Sequence, residues 1–364
     1  MDILPLKVME SLTPMMKQYY EIKQQCMDSI LFFRMGDFYE VFGSDAEQIA
    51  PLLGIVLTSR ERGDQQKIKF CGVPHHSCQS YWLKLLRLGF RVTIADQLED
   101  AKNSKGLVKR GIVRVLTPGC IDELEGLSRD KPNYIMALYE EPKEKTWAVV
   151  FSDISTGEVR LGVVNNLDRV FELVSTYGPR EILCRRFFKE DFEKRLKERF
   201  AEHKILVGTL PEEMLRDKKQ RGDLLVKVLG PLVKEGAFFL SMPGACEVLT
   251  ALWQYLESIK VSLSIFLKIQ PLFDPEEISL HDVAVRDLEI FETARGRQTK
   301  GSLFFQMNRT ATPMGARLLR YSLARPLLSV DKIMRRQRVV ASLMSLGEEQ
   351  QRAIRKELEG VGDV

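Results

Sequence analysis

Over its first third the chain carries apolar residues in short bursts separated by turn residues, with few long helical stripes. Thr13-Pro14 sets a helix N-cap before a proline at the first helical position, which predicts a helix running to about Met27. Ile30-Leu31-Phe32-Phe33 is a short apolar run and predicts a buried strand. Gly36-Asp37 predicts a turn, after which Phe38 to Phe42 continues extended. A helix over Ala46 to Leu53 ends at Gly54, and an amphipathic helix over Ser77 to Leu88 ends at Gly89. Ile55 to Thr58, Lys67 to Cys71, Phe90 to Ala95 and Ile112 to Leu116 predict strands. Residues 1–121 therefore read as one α/β domain around a mixed sheet.

Thr117-Pro118-Gly119 breaks the pattern, and the polar stretch 122–133 reads as a linker. Three strands follow, Tyr134 to Tyr139, Thr146 to Ser152 and Glu158 to Val164, with turn signals between them. A helix over Leu167 to Thr176, a strand over Glu181 to Cys184 and a helix over Lys189 to Ala201 complete a second α/β domain, 134–245. From 246 to 364 the pattern predicts an all-helical segment, apart from a proline-marked stretch around Pro271 to Pro275. Gly362-Asp363 reads as a turn and a helix cap with one residue after it, which predicts a chain cut from a longer protein.

At 364 residues, 45% of them hydrophobic and 29% charged, the chain has the make-up of soluble globular protein with two or three domains. No run of about 18 apolar residues predicts a membrane span. The start lacks a basic flank followed by an apolar core, so no secretory signal is predicted. Six cysteines without a C-x-x-C pair read as free thiols, and the location expected is cytoplasmic. The net charge of +4 excludes little, but its distribution matters. Arg60 to Arg114 holds 12 Lys/Arg against 5 Asp/Glu, and Val285 to Val340 holds 12 against 4. Two separate basic blocks are candidates for two phosphate-contacting surfaces.

Met35-Gly36-Asp37-Phe38-Tyr39-Glu40-Val41-Phe42 resembles the mismatch-recognition segment of the MutS family, whose Phe-x-Glu motif is matched by Phe38 and Glu40. The resemblance continues through Gly72-Val73-Pro74-His75-His76, Gln97-Leu98-Glu99-Asp100 and Val115 to Gly119. It returns at Asp153 to Glu158, and again from Gly301-Ser302-Leu303 through Thr312 to Arg320 and Arg325-Pro326-Leu327. Ser322 departs from it, since many members carry Trp there, and residues 185–240 match loosely. The resemblance implies a mismatch-recognition domain, an RNase H-like α/β connector and the start of a helical core. It also implies double-stranded DNA with mismatches as the partner, a homodimer in the full-length parent, and a MutL-type repair protein docking on the connector. ATP or ADP and Mg2+ are expected only in that parent, with no cofactor, catalytic residue or metal site in this chain.

Residues i and i+2 of an extended segment share a face, so the Phe38 ring and the Glu40 carboxyl are expected side by side. An aromatic ring can wedge between base steps and kink the duplex, and a poorly stacked mismatch resists this less. A carboxyl beside it can hydrogen-bond the displaced base, and nearby phosphate charge favours its protonated form. Arg60, Lys102, Lys105, Lys109 and Arg110 are candidate contacts to the DNA backbone. The cluster Cys71, His75, His76 and Cys78 has zinc-ligand chemistry, but all four lie within eight residues with no second arm, and a structural turn is the preferred reading. Gly296 to Ser302 lacks the Lys that follows the second Gly of a P-loop, so no ATP hydrolysis is expected here. Asp153, with Glu158 nearby, is the centre of the rival reading, a metal-dependent RNase H-like nuclease; its bland reading is a turn cap. A scaffold used only for protein contacts is the third possibility.

Overall fold

A computed structural model describes residues 12–61, 67–98, 108–121, 132–200, 204–230, 237–262, 268–278, 280, 282–295 and 298–361. The expectations for Lys102, Lys105 and Gly362-Asp363 lie outside these residues. Two six-stranded sheets with helices, followed by a helical segment, give the mixed α/β class that the pattern predicts. The chain divides into two compact units. One holds Met1–Gly126, Arg180–Lys218 and Thr250–Ser264; the other holds Leu127–Pro179, Lys219–Leu249 and Ile265–Val364.

The first sheet is built around a hairpin. Helix α1 (Pro14–Gln25) is capped by Thr13, whose hydroxyl accepts from the Met16 amide. Strands β1 (Ile30–Met35) and β2 (Phe38–Phe42) pair antiparallel, with Met35 opposite Phe38. Gly36, at φ +56°, takes the left-handed first position of the two-residue turn between them. Helix α2 (Gly43–Leu53) ends on left-handed Gly54, and the Ile55 amide still bonds back to Ala50. That cap holds 55–57 off the sheet, so β3 starts later than the sequence suggests and spans Thr58–Glu61. β4 (Lys67–Pro74) pairs with both β2 and β3. Helix α3 (Cys78–Arg87) follows, and the Phe90 amide closes on Leu85 as part of its cap. β5 therefore begins at Val92 and runs to Gln97, held to that length by pairing with β6 (Arg110–Leu116). The order is β3-β4-β2-β1-β5-β6, with β1 parallel to β5.

The two faces of this sheet are covered differently. Residues opposite one another in an antiparallel pair share a face. Leu31, Phe33, Phe42, Ile68 and Ala95 pack under α1 through Met16, Tyr19 and Ile22. Phe32 and Tyr39 point the other way and meet Trp82 of α3 edge-on. Phe38 and Glu40 lie on the α1 face, because Phe38 faces Met35 and Glu40 faces Phe33.

The second sheet has the order β11-β10-β7-β8-β9-β12. β7 (Tyr134–Glu141), β8 (Thr146–Asp153) and β9 (Glu158–Val164) form an antiparallel meander. Six consecutive residues of β7 and seven of β8 are buried, so these strands read as apolar runs without alternation. Helix α4 (Leu167–Tyr177) is capped by the Asn166 side chain and ends on left-handed Gly178. β10 (Glu181–Cys184), α5 (Lys189–Arg199) and β11 (Leu206–Thr209) follow, then the helices Glu212–Arg216, Lys218–Leu229 and Ala245–Ser258. β12 (Lys268–Pro271) corrects the expectation of an all-helical segment after 246: it pairs parallel with β9, Ile269 opposite Val159. Its closing proline is tolerated because β12 is an edge strand. The helices Asp282–Asp287, Leu303–Met307, Pro313–Ala324, Val330–Met344 and Glu348–Glu359 complete the described chain.

Glu181, at the first position of β10, is fully buried. Its carboxyl accepts from the hydroxyls of Thr117 and Tyr255 and from the Gly119 amide at 3.3 Å. This ties the Thr117-Pro118-Gly119 turn in place. Burial raises its pKa above the ordinary carboxylate value, and the three donors and Arg91 offset only part of that rise. A raised folded pKa means that the native state binds the proton more tightly than the unfolded state, so stability is greatest at low pH and falls as pH rises above about 4.5. Glu181→Gln is expected to flatten that decline in urea-denaturation midpoints measured across pH 4 to 8. Glu181→Ala is expected to lower stability at every pH, by about 1–3 kcal/mol for each buried donor left without a partner.

Candidate nucleic-acid interface

Phe38 is the first residue of β2, next to the hairpin turn, and is 48% exposed although the other four residues of the strand are buried. The turn that carries it is fixed from both sides. The His75 amide donates to the Asp37 carbonyl at 2.8 Å, and Arg34 Nε donates to the Gly36 carbonyl at 2.5 Å. Below, the Tyr39 hydroxyl donates to Asp96 at 2.6 Å on the opposite face. An exposed ring on a pinned turn has little orientational freedom to lose on binding.

Glu40 lies beside Phe38 as the i, i+2 spacing requires. Both side chains flank Gly72, which faces Glu40 across the β2–β4 pair. A Cβ at Gly72 would stand 3.5 Å from Glu40 Cγ and 3.9 Å from Phe38 Cδ1. With no side chain of its own, Gly72 lets the Glu40 and Phe38 side chains pack across it in van der Waals range. Gly72, part of the stretch that carries the family resemblance, shows the close approach that glycine inside a strand signals.

Glu40 is only 9% exposed, and its carboxyl is paired with Arg60 through two hydrogen bonds, Nη1 to Oε2 at 2.7 Å and Nη2 to Oε1 at 3.1 Å. Burial raises the Glu40 pKa and Arg60 lowers it; burial prevails, so the carboxyl is easier to protonate than an ordinary glutamate. The Arg60 guanidinium also stacks over the Phe70 ring, 4.6 Å from its centroid. Thus Arg60, expected only as a backbone contact, sits against Glu40 itself.

The other cations divide. Lys109 is exposed, and its carbonyl accepts from the Leu98 amide at 2.9 Å. Arg110 corrects the expectation of a surface contact: it is 8% exposed and donates to the Arg34 and Val108 carbonyls and to Gln18. Its guanidinium lies 5.0 Å over the Phe33 ring, and burial lowers its pKa. Reaching a phosphate would mean breaking these bonds. The second basic block is also partly interior. Arg325 is buried and donates to the Leu272 carbonyl and the Tyr177 hydroxyl, while Arg320 lies over the rings of Phe291 and Phe304. Arg335, Arg336 and Arg338 are exposed on the helix Val330–Met344.

The Asp153 constellation has the geometry of a turn. One carboxyl oxygen accepts from the Ser155 amide at 3.0 Å and its hydroxyl at 2.6 Å; the other accepts from the Asn133 amide at 3.0 Å. Glu158 is engaged by Arg160 and by the Tyr134 hydroxyl. Cys78 donates its thiol to the His75 carbonyl, within the short turn His75–Ser77. Among the described residues, no group of three or more His, Cys, Asp or Glu could hold a metal ion. Nor is any helix among them long and apolar enough to cross a membrane.

The sequence matches three family descriptions in order: MutS domain I over residues 13–125, MutS domain II over 133–261 and MutS domain III over 283–364. It is 36% identical over 335 residues to the DNA mismatch repair protein MutS of Clostridium tetani, covering 92% of this chain and 36% of that protein. The protein of the same name from Acetivibrio thermocellus is 36% identical over 332 residues, covering 89% and 37%. That from Bacillus licheniformis is 35% identical over 338 residues, covering 93% and 36%. The chain thus spans little more than a third of the length of these curated relatives. With a ring and a carboxyl side by side on a pinned hairpin and all three domain descriptions matched in sequence order, the chain belongs to the MutS family.

Proposed function

We propose that this chain binds double-stranded DNA and tests it for mispaired or unpaired bases, with Phe38 as an inserted wedge and Glu40 as the hydrogen-bonding partner of the displaced base. The observation that carries this reading is the exposed Phe38, held on a fixed turn next to Glu40, with both side chains packed against Gly72. Unstacking a base step costs a few kcal/mol, and a mismatch has already lost part of that stacking, so the same ring enters there at lower cost. A carboxyl whose pKa is raised by burial is suited to the task. Phosphates approaching it raise the pKa further, and the protonated form can donate to a ring nitrogen.

In the whole protein the remaining segments would supply an ATPase that binds ATP or ADP with Mg2+, a homodimer that closes around the duplex, and a MutL-type partner on the connector. This chain would act as the sensor and would hydrolyse nothing itself. The nuclease alternative is not favoured, since the Asp153 oxygens are committed to the turn at Ser155 and to Asn133.

Phe38→Ala is expected to abolish the preference for mismatched over matched duplex in the full-length protein. The unfolding midpoint should move little, because a half-exposed rim residue contributes roughly 0.5 kcal/mol or less to folding. Equal discrimination by variant and wild type overturns the wedge. Binding by this chain alone should weaken steeply with salt, log K falling by about 0.9 per decade for each phosphate neutralised; a flat titration points away from DNA. Glu40→Ala is expected to tighten matched duplex, since a negative charge near phosphates is gone. It should tighten mismatched duplex less or weaken it, because a base contact worth roughly 1–3 kcal/mol is lost. Paired dissociation constants at one salt concentration check this, and equal tightening of both duplexes would make Glu40 an electrostatic bystander.

A further inference from the structure

We propose that Arg60 is a specificity-determining residue of this interface: it holds Glu40 in a closed ion pair on matched DNA and exchanges that carboxylate for a DNA phosphate when a displaced base takes its place. The inference rests on the reading of Glu40 given above and adds the device that controls when Glu40 is available.

The register sets up this device. Arg60 faces Ile68 across the β3–β4 pair, and Glu40 faces Gly72 across the β4–β2 pair. Ile68, Phe70 and Gly72 alternate on one face of β4, so Arg60 and Glu40 lie on that same face with Phe70 between them. The Arg60 guanidinium lies over the Phe70 ring, 4.6 Å from its centroid, and reaches the Glu40 carboxyl. There it donates one hydrogen bond to each carboxyl oxygen, at 2.7 and 3.1 Å. A two-pronged pair of this kind is both directional and charge-assisted, and it satisfies both oxygens at once. While it stands, Glu40 has no oxygen turned out towards DNA.

The partners differ in what they can do next. The Glu40 side chain is 11% exposed and that of Arg60 is 36% exposed. Arg60 reaches in from an edge strand, and its flat side chain can slide along the Phe70 face. A free Glu40 charge would repel the backbone of every duplex alike. Pairing with Arg60 reduces that repulsion without removing it, so matched DNA is repelled less than by a free Glu40. Breaking the pair is offset only when both members find new partners: the carboxyl a displaced base, the guanidinium a phosphate. A displaced base exists only at a mismatch, so the exchange ties a sequence-blind phosphate contact to base reading. The carboxylate that leaves Arg60 takes up a proton from solvent to donate to the base; every other change is an exchange of hydrogen bonds.

The test is a double-mutant cycle in the full-length protein, with dissociation constants for matched and mismatched duplex at one salt concentration for wild type, Arg60→Ala, Glu40→Ala and the double variant. Arg60→Ala is expected to weaken matched binding more than mismatched binding and so raise discrimination about twofold to a hundredfold, the range for residues in direct contact. In the Glu40→Ala background the same change should weaken both duplexes equally and leave discrimination unaltered. Arg60→Lys, which keeps the charge and loses the second prong, should fall between, and it carries the test if thermal unfolding shows that the alanine variant does not fold. If Arg60→Ala weakens both duplexes by one factor whether or not Glu40 is present, Arg60 is a phosphate contact alone and the exchange is wrong. If Glu40→Ala leaves discrimination at the wild-type value, the base contact itself fails, and the exchange fails with it. Discrimination that responds to Glu40→Ala but not to either Arg60 variant overturns the exchange alone.

Discussion

Antiparallel pairing puts opposite residues on one face, and the rest of the interface depends on that constraint. With Met35 opposite Phe38, the hairpin register sends Phe38 and Glu40 to the face covered by α1, and sends Tyr39 and Val41 to the face covered by α3. A slip of one residue would exchange the two sets. Gly36 fixes the register by taking a positive φ that a side chain would strain, and His75 and Arg34 hold the turn it makes. Phe33, Phe42 and Ile68 on the shared face are used up under α1, so the helix anchors the hairpin while leaving its rim bare. Fold and function therefore draw on the same alternation: buried positions hold the sheet, and the first position of β2 is free to meet a partner.

Much of this was legible in the sequence where a local rule governs. The Thr13 cap, the stops at Gly54 and Gly89, the turn at Gly36-Asp37 and the extended run from Phe38 all follow from residues within a few positions of one another. The misses come from contacts made at a distance. β3 begins at Thr58 because pairing with Phe70 starts there, and β12 is a strand only because β9 offers an edge. Four residues, Lys268 to Pro271, carry no periodic signal of their own. The candidate site divides in the same way. The i, i+2 spacing was enough to bring Phe38 and Glu40 together, but nothing local marks Arg60, 20 positions away, as the partner of Glu40.

Counting charge along a chain says how many cations a segment has and nothing of how many reach solvent. Arg110 and Arg325 contributed to the two basic blocks, yet each is below 10% exposed and donates to backbone carbonyls. A guanidinium brings several donors in a fixed fork and stacks on rings, so it serves as an interior cross-link as readily as a phosphate contact. Arg110 lies over Phe33 and Arg325 over Tyr177. The exposed cationic surface is correspondingly narrower than the sequence suggests, and Arg110 and Arg325 are spent inside the fold.

Three buried carboxyls, Glu40, Asp153 and Glu181, have pKa values raised by burial above all other causes, so the shift alone does not separate the proposed sensor from the scaffold. What separates them is the nature of their partners. Asp153 is held largely by amides and a hydroxyl of its own turn and of Asn133, and these cannot leave without unfolding the turn. Glu181 is held by Thr117, Gly119 and Tyr255, each fixed by the elements that carry it. Glu40 is held by one long cation that is partly exposed and rests on a ring. Neutral donors on a rigid frame make a permanent bond, whereas a single partly exposed cation can be exchanged for another, and under the proposed function a duplex would bring alternative partners for both members of that pair. The chemistry that suits a carboxyl to read a base is thus set less by its own burial than by how readily its present partner can go elsewhere.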